Sequence, residues 1–220
     1  MNLELLRLLQ LVSPTLPVGA FAYSQGMESA VEHKLVADEI STKEWVQGIL
    51  KNNLTHLDLP VLRFQMQFFH SADIDNLQKA NDLIIAFRET NEFRMESVQM
   101  AKALCRLLAD LNVDLTLMPK GDLDWVTVFA FAAGSHNINI NEALLGYAWS
   151  WCENQIAAAI KLVPLGQTQG QRLLHQLSDV IEQQVVRSQD IEFDAIGAIA
   201  PNLAILSSQH ESQYSRLFRS

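Results

Sequence analysis

Apolar residues recur at helical spacing along most of the chain. Leu5, Leu8 and Leu9 fall on one face of a helix, so residues 2–12 are predicted to form an amphipathic helix. Pro14 ends this helix, because proline lacks an N–H and restricts the residue before it. Similar apolar spacing follows in later segments that turn-forming residues separate. The pattern predicts a succession of helices.

Capping and breaking residues place the predicted helix boundaries. Ser41-Thr42-Lys43-Glu44 has the form of a capping box, in which the serine side chain accepts the Glu44 N–H. All six prolines fall at predicted boundaries, and this agreement favours an all-α, single-domain bundle of about ten helices over residues 1–220. Three further helices are predicted with both ends: from about Tyr23 to His33, from Glu142 to Val163, and from Gln169 to Ser188. For the others only the start is predicted: at Ser41, around Pro60 in a first turn, after Asp73, at Thr90, and after Pro201.

The segment Trp125–Ala133 is the one place where a strand is arguable, because Val126, Val128 and Phe129 favour extended backbone. No other segment offers this strand a partner, and an isolated strand would leave its backbone polar groups unpaired. A helix is therefore predicted here.

Residues 13–28 form a predicted corner between the first two helices. Pro14 and Pro17 cannot lie inside a helix, and Gly19 follows them at once. Phe21 and Tyr23 then place two large rings beside a stiff turn. Two interpretations remain: a rigid corner packed on the core, or a binding corner, since interfaces favour aromatic anchors.

The C-terminal tail and one lysine are further candidates for partner contacts. If the tail is helical, Tyr214, Leu217 and Phe218 share one face, which Arg216 and Arg219 flank. So short a segment cannot hold a helix alone. The tail, about 211–220, is therefore expected to become ordered on partner binding, and docking on its own bundle is the alternative.

Lys161 interrupts the apolar run that ends the long predicted helix. A lysine near a helix C-terminus compensates the helix dipole, and its stem can lie along apolar surface. A cation at a partner surface is the alternative interpretation.

Composition limits the class of protein. The chain of 220 residues is 49% hydrophobic, with a mean hydropathy of +0.06, which favours a folded domain with apolar area covered by another chain, such as a second copy. The formal net charge of −9 and the scattered cations argue against nucleic-acid binding. Uncharged apolar runs such as Ala143–Cys152 are too short to span a membrane, which takes about 20 residues. Cys105 and Cys152 lie in apolar helical patterns, as reduced thiols of a cytosolic protein do.

Signatures of catalysis, nucleotide binding and metal binding are absent from the sequence. It contains no G-x-S-x-G, H-E-x-x-H or P-loop motif, and its six histidines form no i, i+4 pair. Asp122 and Asp124 stand where N-caps belong. An all-α enzyme with a site at the Pro14–Gly26 corner is the alternative function, with Ser24 or Tyr23 reactive. No activating base is evident, because Glu28 is expected to be an ordinary exposed residue.

Three blocks of the sequence carry a family resemblance. They are LLQLVSPTLPVGAFAYSQGME from Leu8 to Glu28, WSWCENQIAAAIKLVPLGQTQGQRLL from Trp149 to Leu174, and HESQYSRLFRS from His210 to Ser220. These blocks, in this order, resemble the urease accessory protein UreF family, and the resemblance covers essentially the whole chain.

The resemblance implies a cytoplasmic, non-enzymatic factor that helps nickel insertion into urease apoprotein. It implies a homodimer that binds the accessory protein UreD, also called UreH, and recruits the GTPase UreG. Nickel and GTP would be handled by these partners, so no cofactor is expected in this chain; a generic helical adaptor unrelated to urease is the third hypothesis. The predicted partner-binding residues are Phe21, Tyr23, Ser24, Gln25, Gly26, Glu28, Lys161, Tyr214, Ser215, Arg216, Leu217, Phe218 and Arg219.

Overall fold

The computed structural model describes residues 3–198 and 200–220, and these residues form an all-α fold without strands. The prediction of a helical bundle of about ten helices is thereby confirmed. The α-helices of this part are α1 (Leu3–Leu11), α2 (Met27–Glu32), α3 (Glu39–Ile49), α4 (Asp58–His70), α5 (Ile74–Ala86), α6 (Asn91–Asp110), α7 (Trp125–Ser135), α8 (Ile140–Leu162), α9 (Gln167–Ser188) and α10 (Pro201–Glu211). Short 3₁₀ segments lie at Ala20–Ala22 and Phe193–Ala195, and a π-helical segment at Leu50–Leu54 follows α3. Asn2, the first residue of the first predicted helix, lies outside the described residues.

Helix α7 forms the centre of the bundle. Every residue from Val126 to Gly134 is buried, and α7 packs against α1, α4 and α6. This explains why its sequence lacks an apolar stripe and looks compatible with a strand: a helix that is surrounded on all sides is apolar all round. The predicted helix is confirmed.

Glycines let the helices approach closely at two contacts. A Cβ added to Gly134 of α7 would lie 2.5 Å from the ring of Phe69 in α4. A Cβ on Gly170 of α9 would lie 2.5 Å from the side chain of Ile160 in α8. Both distances are far below van der Waals contact, so a side chain at either position would force Phe69 or Ile160 to move.

Several predicted caps are confirmed. The side chains of Asp73, Thr90 and Asp124 accept hydrogen bonds from backbone N–H groups in the first turns of α5, α6 and α7. Pro201 is the first residue of α10, and Pro164 follows α8.

Four predicted starts are wrong. Helix α3 begins after Asp38, whose Oδ1 accepts the Ser41 N–H at 2.8 Å, so Ser41 closes the capping box instead of opening it. Helix α8 is capped by Asn139 and begins at Ile140, two residues before the predicted Glu142, and α9 begins at Gln167, two residues before the predicted Gln169. Helix α2 starts only at Met27, because Gln25 and Gly26 have φ angles of 53° and 81°, outside the right-handed helical region.

Candidate functional site: the corner and the tail

The corner between α1 and α2 is held by α8. Asn154 Nδ2 donates to the Tyr23 carbonyl at 3.3 Å, and Gln155 Nε2 donates to the Ser24 carbonyl at 3.2 Å. Gly19, with φ of 80°, precedes the 3₁₀ turn Ala20–Ala22. A Cβ on Gly19 would meet no atom within 4 Å, so this position favours glycine for its backbone angle alone.

The corner turns its two aromatic side chains in opposite directions. Phe21 is 67% exposed, whereas Tyr23 is 7% exposed and belongs to the core. Tyr23 thus fits a rigid corner packed on the core, whereas the binding interpretation stays a prediction that rests on the exposed Phe21.

The tail returns to the corner and pairs with its backbone. The Arg219 N–H donates to the Ala22 carbonyl at 2.8 Å, and the Ser24 N–H donates to the main-chain oxygen of Ser220 at 2.6 Å. The Ser24 hydroxyl donates to the same Ser220 oxygen at 2.7 Å. Residues 22–24 and 219–220 thus form one backbone-paired unit.

Glu28 receives the tail. Its Oε1 accepts the Leu217 N–H at 2.6 Å, and its Oε2 accepts the Phe218 N–H at 2.8 Å. The expectation that Glu28 is exposed is wrong: its side chain is 8% exposed, because the tail and α10 cover the first turn of α2. Here the carboxylate also lies at the positive end of the α2 dipole.

His210, near the end of α10, lies between two carboxylates. Its Nε2 is 3.1 Å from Glu28 Oε2, and its Nδ1 is 2.9 Å from Glu92 Oε2. The imidazole is fully buried, and Arg216 Nη1 donates to Glu92 Oε1 at 3.1 Å. Burial raises the pKa of Glu92, although His210 and Arg216 both oppose this rise. We call Glu28, Glu92 and His210 the tail clamp.

Glu96 lies one turn further along α6 and contacts both the corner and the tail. Its Oε1 accepts from Gln25 Nε2 at 2.5 Å, and its Oε2 accepts from the Ser220 hydroxyl at 2.8 Å. Burial raises the pKa of Glu96 to about 7, because the two hydrogen bonds only partly offset the loss of solvation. Gln25 in turn accepts the indole N–H of Trp151 at 2.6 Å.

A buried ion-pair network lies close to Glu96 and supports the seat of the tail. The Arg88 guanidinium contacts Asp124 at 2.8 Å and Asp58 at 2.9 Å, and the Tyr147 hydroxyl donates to Asp58 at 3.0 Å. Burial disfavours ionised Asp124, but Arg88 and a hydrogen bond from Ser97 outweigh this and lower its pKa. Asp124 is therefore both the predicted cap and an ion-pair partner that spacing did not reveal.

The structure corrects the predicted form of the tail. Residues 212–220 are not helical, and Leu217 is 65% exposed whereas Phe218 is 6% exposed, so Tyr214, Leu217 and Phe218 do not share one face. The tail lies docked on the bundle, and Lys161 Nζ lies 5.2 Å from the centroid of the Phe218 ring. Its ordering on partner binding stays a prediction.

The predicted partner-binding residues divide into two sets. Tyr23, Ser24, Gly26, Glu28 and Phe218 are buried and build the seat of the tail. The others form the outer surface around that seat, which we call the tail face; its exposed members are Phe21, Lys161, Tyr214, Ser215, Arg216, Leu217 and Arg219. Gln25 is half-buried between the two sets.

Sequence reasoning missed Glu92, Glu96 and His210. No local signal marks them, because His210 lies 118 positions from Glu92 and 182 from Glu28 along the chain. Glutamate and histidine side chains in helices are typical of solvated faces, and only the packing of α2, α6 and α10 brings Glu28, Glu92 and His210 together.

The hydroxyls proposed as reactive do not face a cavity. A cavity of about 140 Å³ opens beside the corner, with Phe21, Gln25 and Glu96 among its lining residues, but neither Ser24 nor Tyr23 lines it. The Ser24 hydroxyl is buried and already accepts the Glu28 N–H. Neither of these two hydroxyls is therefore placed to attack a substrate bound in this cavity.

A metal-binding cluster and a membrane-spanning helix are both absent from the described residues, 3–198 and 200–220. Within them no group of three or more His, Cys, Asp or Glu side chains is arranged to hold a metal ion. No helix in the same residues is long and apolar enough to cross a membrane.

Comparison with known proteins decides the family. The family model described as UreF matches residues 36–178. This chain belongs to the UreF family. The predicted resemblance is thereby confirmed.

Curated relatives in the UreF family extend over the full chain. The chain is 46% identical over 219 residues to a urease accessory protein UreF of Marinomonas sp. (strain MWYL1), covering 100% of this chain and 95% of the relative. It is 43% identical over 221 residues to the protein of the same description from Teredinibacter turnerae, with 100% of both chains covered. A third relative so described, from Pseudoalteromonas translucida, is 43% identical over 225 residues, with 100% and 95% coverage. The chain is accordingly an accessory protein of the urease system.

Proposed function

We propose that this protein is a non-enzymatic scaffold and regulator in the cytoplasmic complex that inserts nickel into urease apoprotein. In this proposal it bridges a UreD/UreH-type accessory protein and a UreG-type GTPase, acts as a homodimer, and leaves nickel and GTP to its partners. Family membership and the predicted full-length resemblance support the role. The composition of the tail face supports the mode of action.

The observation that carries the proposal is the exposure of the tail face. Phe21, Tyr214 and Leu217 are more than half exposed, although aromatic and leucine side chains normally seek burial. Arg216 and Arg219 lie in the same segment, and Tyr, Phe and Arg are residue types that dominate the binding energy of interfaces. Hydrogen bonds hold the backbone of residues 217–220 on its seat, and an ordered backbone reduces the entropy lost on binding.

The tail face also offers a favourable charge distribution. The chain has a formal net charge of −9, whereas the tail face carries Lys161, Arg216 and Arg219. A cationic surface on an acidic protein steers an acidic partner surface toward it. We assign this face to the UreD/UreH-type partner, through which the GTPase and urease apoprotein are recruited.

Co-expression with a urease accessory set tests the proposal. Phe21→Ala and the double variant Tyr214→Ala/Leu217→Ala remove exposed side chains, so they should leave folding intact and reduce recovery of the UreD/UreH-type partner at least about tenfold. Val186→Ala on α9, which is 59% exposed, is the matched control and should retain the partner. Full recovery with both tail-face variants would contradict the proposed binding surface.

A further inference from the structure

The tail clamp needs two protons to make its two contacts. Both ring nitrogens of His210 face carboxylate oxygens, at 3.1 Å from Glu28 and 2.9 Å from Glu92. A neutral imidazole carries one N–H and therefore satisfies only one of these contacts. The other contact would then set a nitrogen lone pair against a carboxylate oxygen, so it needs a second proton, on the ring or on a carboxyl group.

We propose that the tail is seated on the bundle through this second proton: residues 217–220 stay docked while the tail clamp holds two protons and detach when one of them leaves. His210 is a positioning residue in this device. It touches no tail amide itself, but it fixes the carboxylate that does.

The link from His210 to the tail runs through one oxygen atom. Glu28 Oε2 faces His210 Nε2 and also accepts the Phe218 N–H at 2.8 Å. The Glu28 side chain can turn away from the tail only if it leaves the histidine. When Nε2 carries no proton, repulsion from its lone pair pushes Oε2 out of the position that the Phe218 amide requires. When Nδ1 carries no proton, the same repulsion acts on Glu92, which accepts from Arg216 of the tail.

The charges around His210 balance only in the protonated clamp. From α2 the ring faces Glu28, from α6 it faces Glu92, and from the tail Arg216 pairs with Glu92. The two negative charges of the carboxylates are thus neutralised by the two positive charges of the imidazolium and the guanidinium. Glu211 acts on Glu92 as a further negative charge, and Glu96 lies one turn along α6. Loss of the second proton leaves an uncompensated negative charge in a buried site, which is strongly disfavoured.

Amide hydrogen exchange at the tail tests the proposal on the isolated chain. The protection of the Leu217 and Phe218 amides, corrected for intrinsic exchange, is measured by NMR between about pH 5 and about pH 9. Protection should fall as pH rises, by up to about tenfold per pH unit, the limit for release of one proton. Amides of α7 should keep their protection. A constant protection of the two tail amides over this range would overturn the proposal.

Glu92→Gln supplies the sharper variant. The amide can donate from Nε2 to His210 Nδ1, so a neutral ring can donate its single proton from Nε2 to Glu28, and the clamp no longer needs the titrating proton. The tail amides of this variant should remain protected up to about pH 9. A decline that follows that of the parent chain would overturn the proposal.

Two histidine variants and one glutamate variant complete the test. His210→Gln offers donors from only one atom, so the tail amides should be poorly protected at every pH. His175→Gln, an exposed residue on α9, is the matched control and should follow the parent. Glu96→Gln removes the other titrating group that touches the tail, and the decline should persist in it. If the decline disappears in Glu96→Gln and persists in His210→Gln, Glu96 and not the tail clamp controls the tail. The docking of residues 217–220 is measured on the isolated chain, so the result does not depend on the proposed partners.

Discussion

Glu28 connects three elements through a single carboxylate. It belongs to α2, accepts two tail amides and faces His210 of α10. Hydrogen bonds to charged acceptors contribute more than neutral ones, and a buried donor left without an acceptor is penalised. Among the contacts that hold the tail, those of Glu28 should therefore contribute strongly to its stability.

Glu28→Gln should lower the free energy of unfolding by about 1–3 kcal/mol, because the amide offers one acceptor oxygen for two tail N–H groups. Urea denaturation of the two proteins measures the difference. Glu32→Gln, at the exposed end of α2, is the control and should change the midpoint little. Equal midpoints for Glu28→Gln and the parent would show that the tail contributes nothing to stability.

Glu96 predicts a stability that depends on pH. Its pKa is about 7 in the folded chain and 4.5 in the ordinary state, so the protonated carboxyl is the form that folding favours. Its contribution is fully present below pH 4.5 and is lost as pH rises through about 7. Glu96→Gln should therefore be more stable than the parent at pH 8, by about 2–3 kcal/mol, with the difference shrinking toward pH 4.5. Thermal denaturation across this range checks the prediction; a constant difference would contradict it.

At the scale of elements, α7 sets how tightly the bundle packs. It is buried from Val126 to Gly134, and its closest approach to α4 is at Gly134, beneath Phe69. The half-buried Phe69 ring lies directly over this glycine, so the α4–α7 contact should tolerate added volume poorly.

Gly134→Ala should destabilise the protein by about 1–3 kcal/mol, because the new methyl group overlaps the Phe69 ring. Gly48→Ala in α3 provides a matched control, since a Cβ there meets no atom within 4 Å. That second change should stabilise the chain by up to about 1 kcal/mol, because alanine loses less entropy in a helix. Chemical denaturation measures the free energy of unfolding of both variants. A Gly134→Ala protein as stable as the Gly48→Ala protein would contradict the close approach of α7 to α4.

At the scale of the whole molecule, a helical core coexists with several exposed apolar groups. Besides the tail face, α1 exposes a row of leucines. These side chains lie on the side of α1 that faces away from α7 and α8. The exposed residues of this row are Leu3, Leu5, Leu6 and Leu9. Contiguous apolar area of this kind is more typical of a subunit than of a monomer.

The isolated protein should be a homodimer. Light scattering at tens of micromolar should give about twice the chain mass of 24.7 kDa. Leu6→Lys, which places a charge in the exposed leucine row, should shift the equilibrium toward the monomer if that row is part of the interface. A mass near 24.7 kDa for the parent at the same concentration would contradict the prediction.

Helices and their ends could be predicted from sequence because their signals are local. Asp73 and Thr90 cap the helices that follow them directly in the sequence, α5 and α6. An apolar run such as that of α7 is stable only when it is buried in a core. The start of α3 was misplaced because Asp38 and Ser41 are both good caps, and backbone geometry chooses between them. The tail clamp could not be predicted, because its members become neighbours only after the helices pack.

The pairing of residues 22–24 with 219–220 also bears on when this region can form during synthesis. Ser24 and Ser220 are 196 positions apart, so their contact closes a loop of nearly the whole chain. Loop closure of this length is entropically costly and slow compared with local helix formation. During synthesis, α2 and α6 leave the ribosome long before the tail. Glu28 and Glu92 therefore remain solvent-exposed until α10 and residues 217–220 have been made. The corner is thus made before most of the chain but completed late, and the tail face forms only after residues 217–220 have been synthesised.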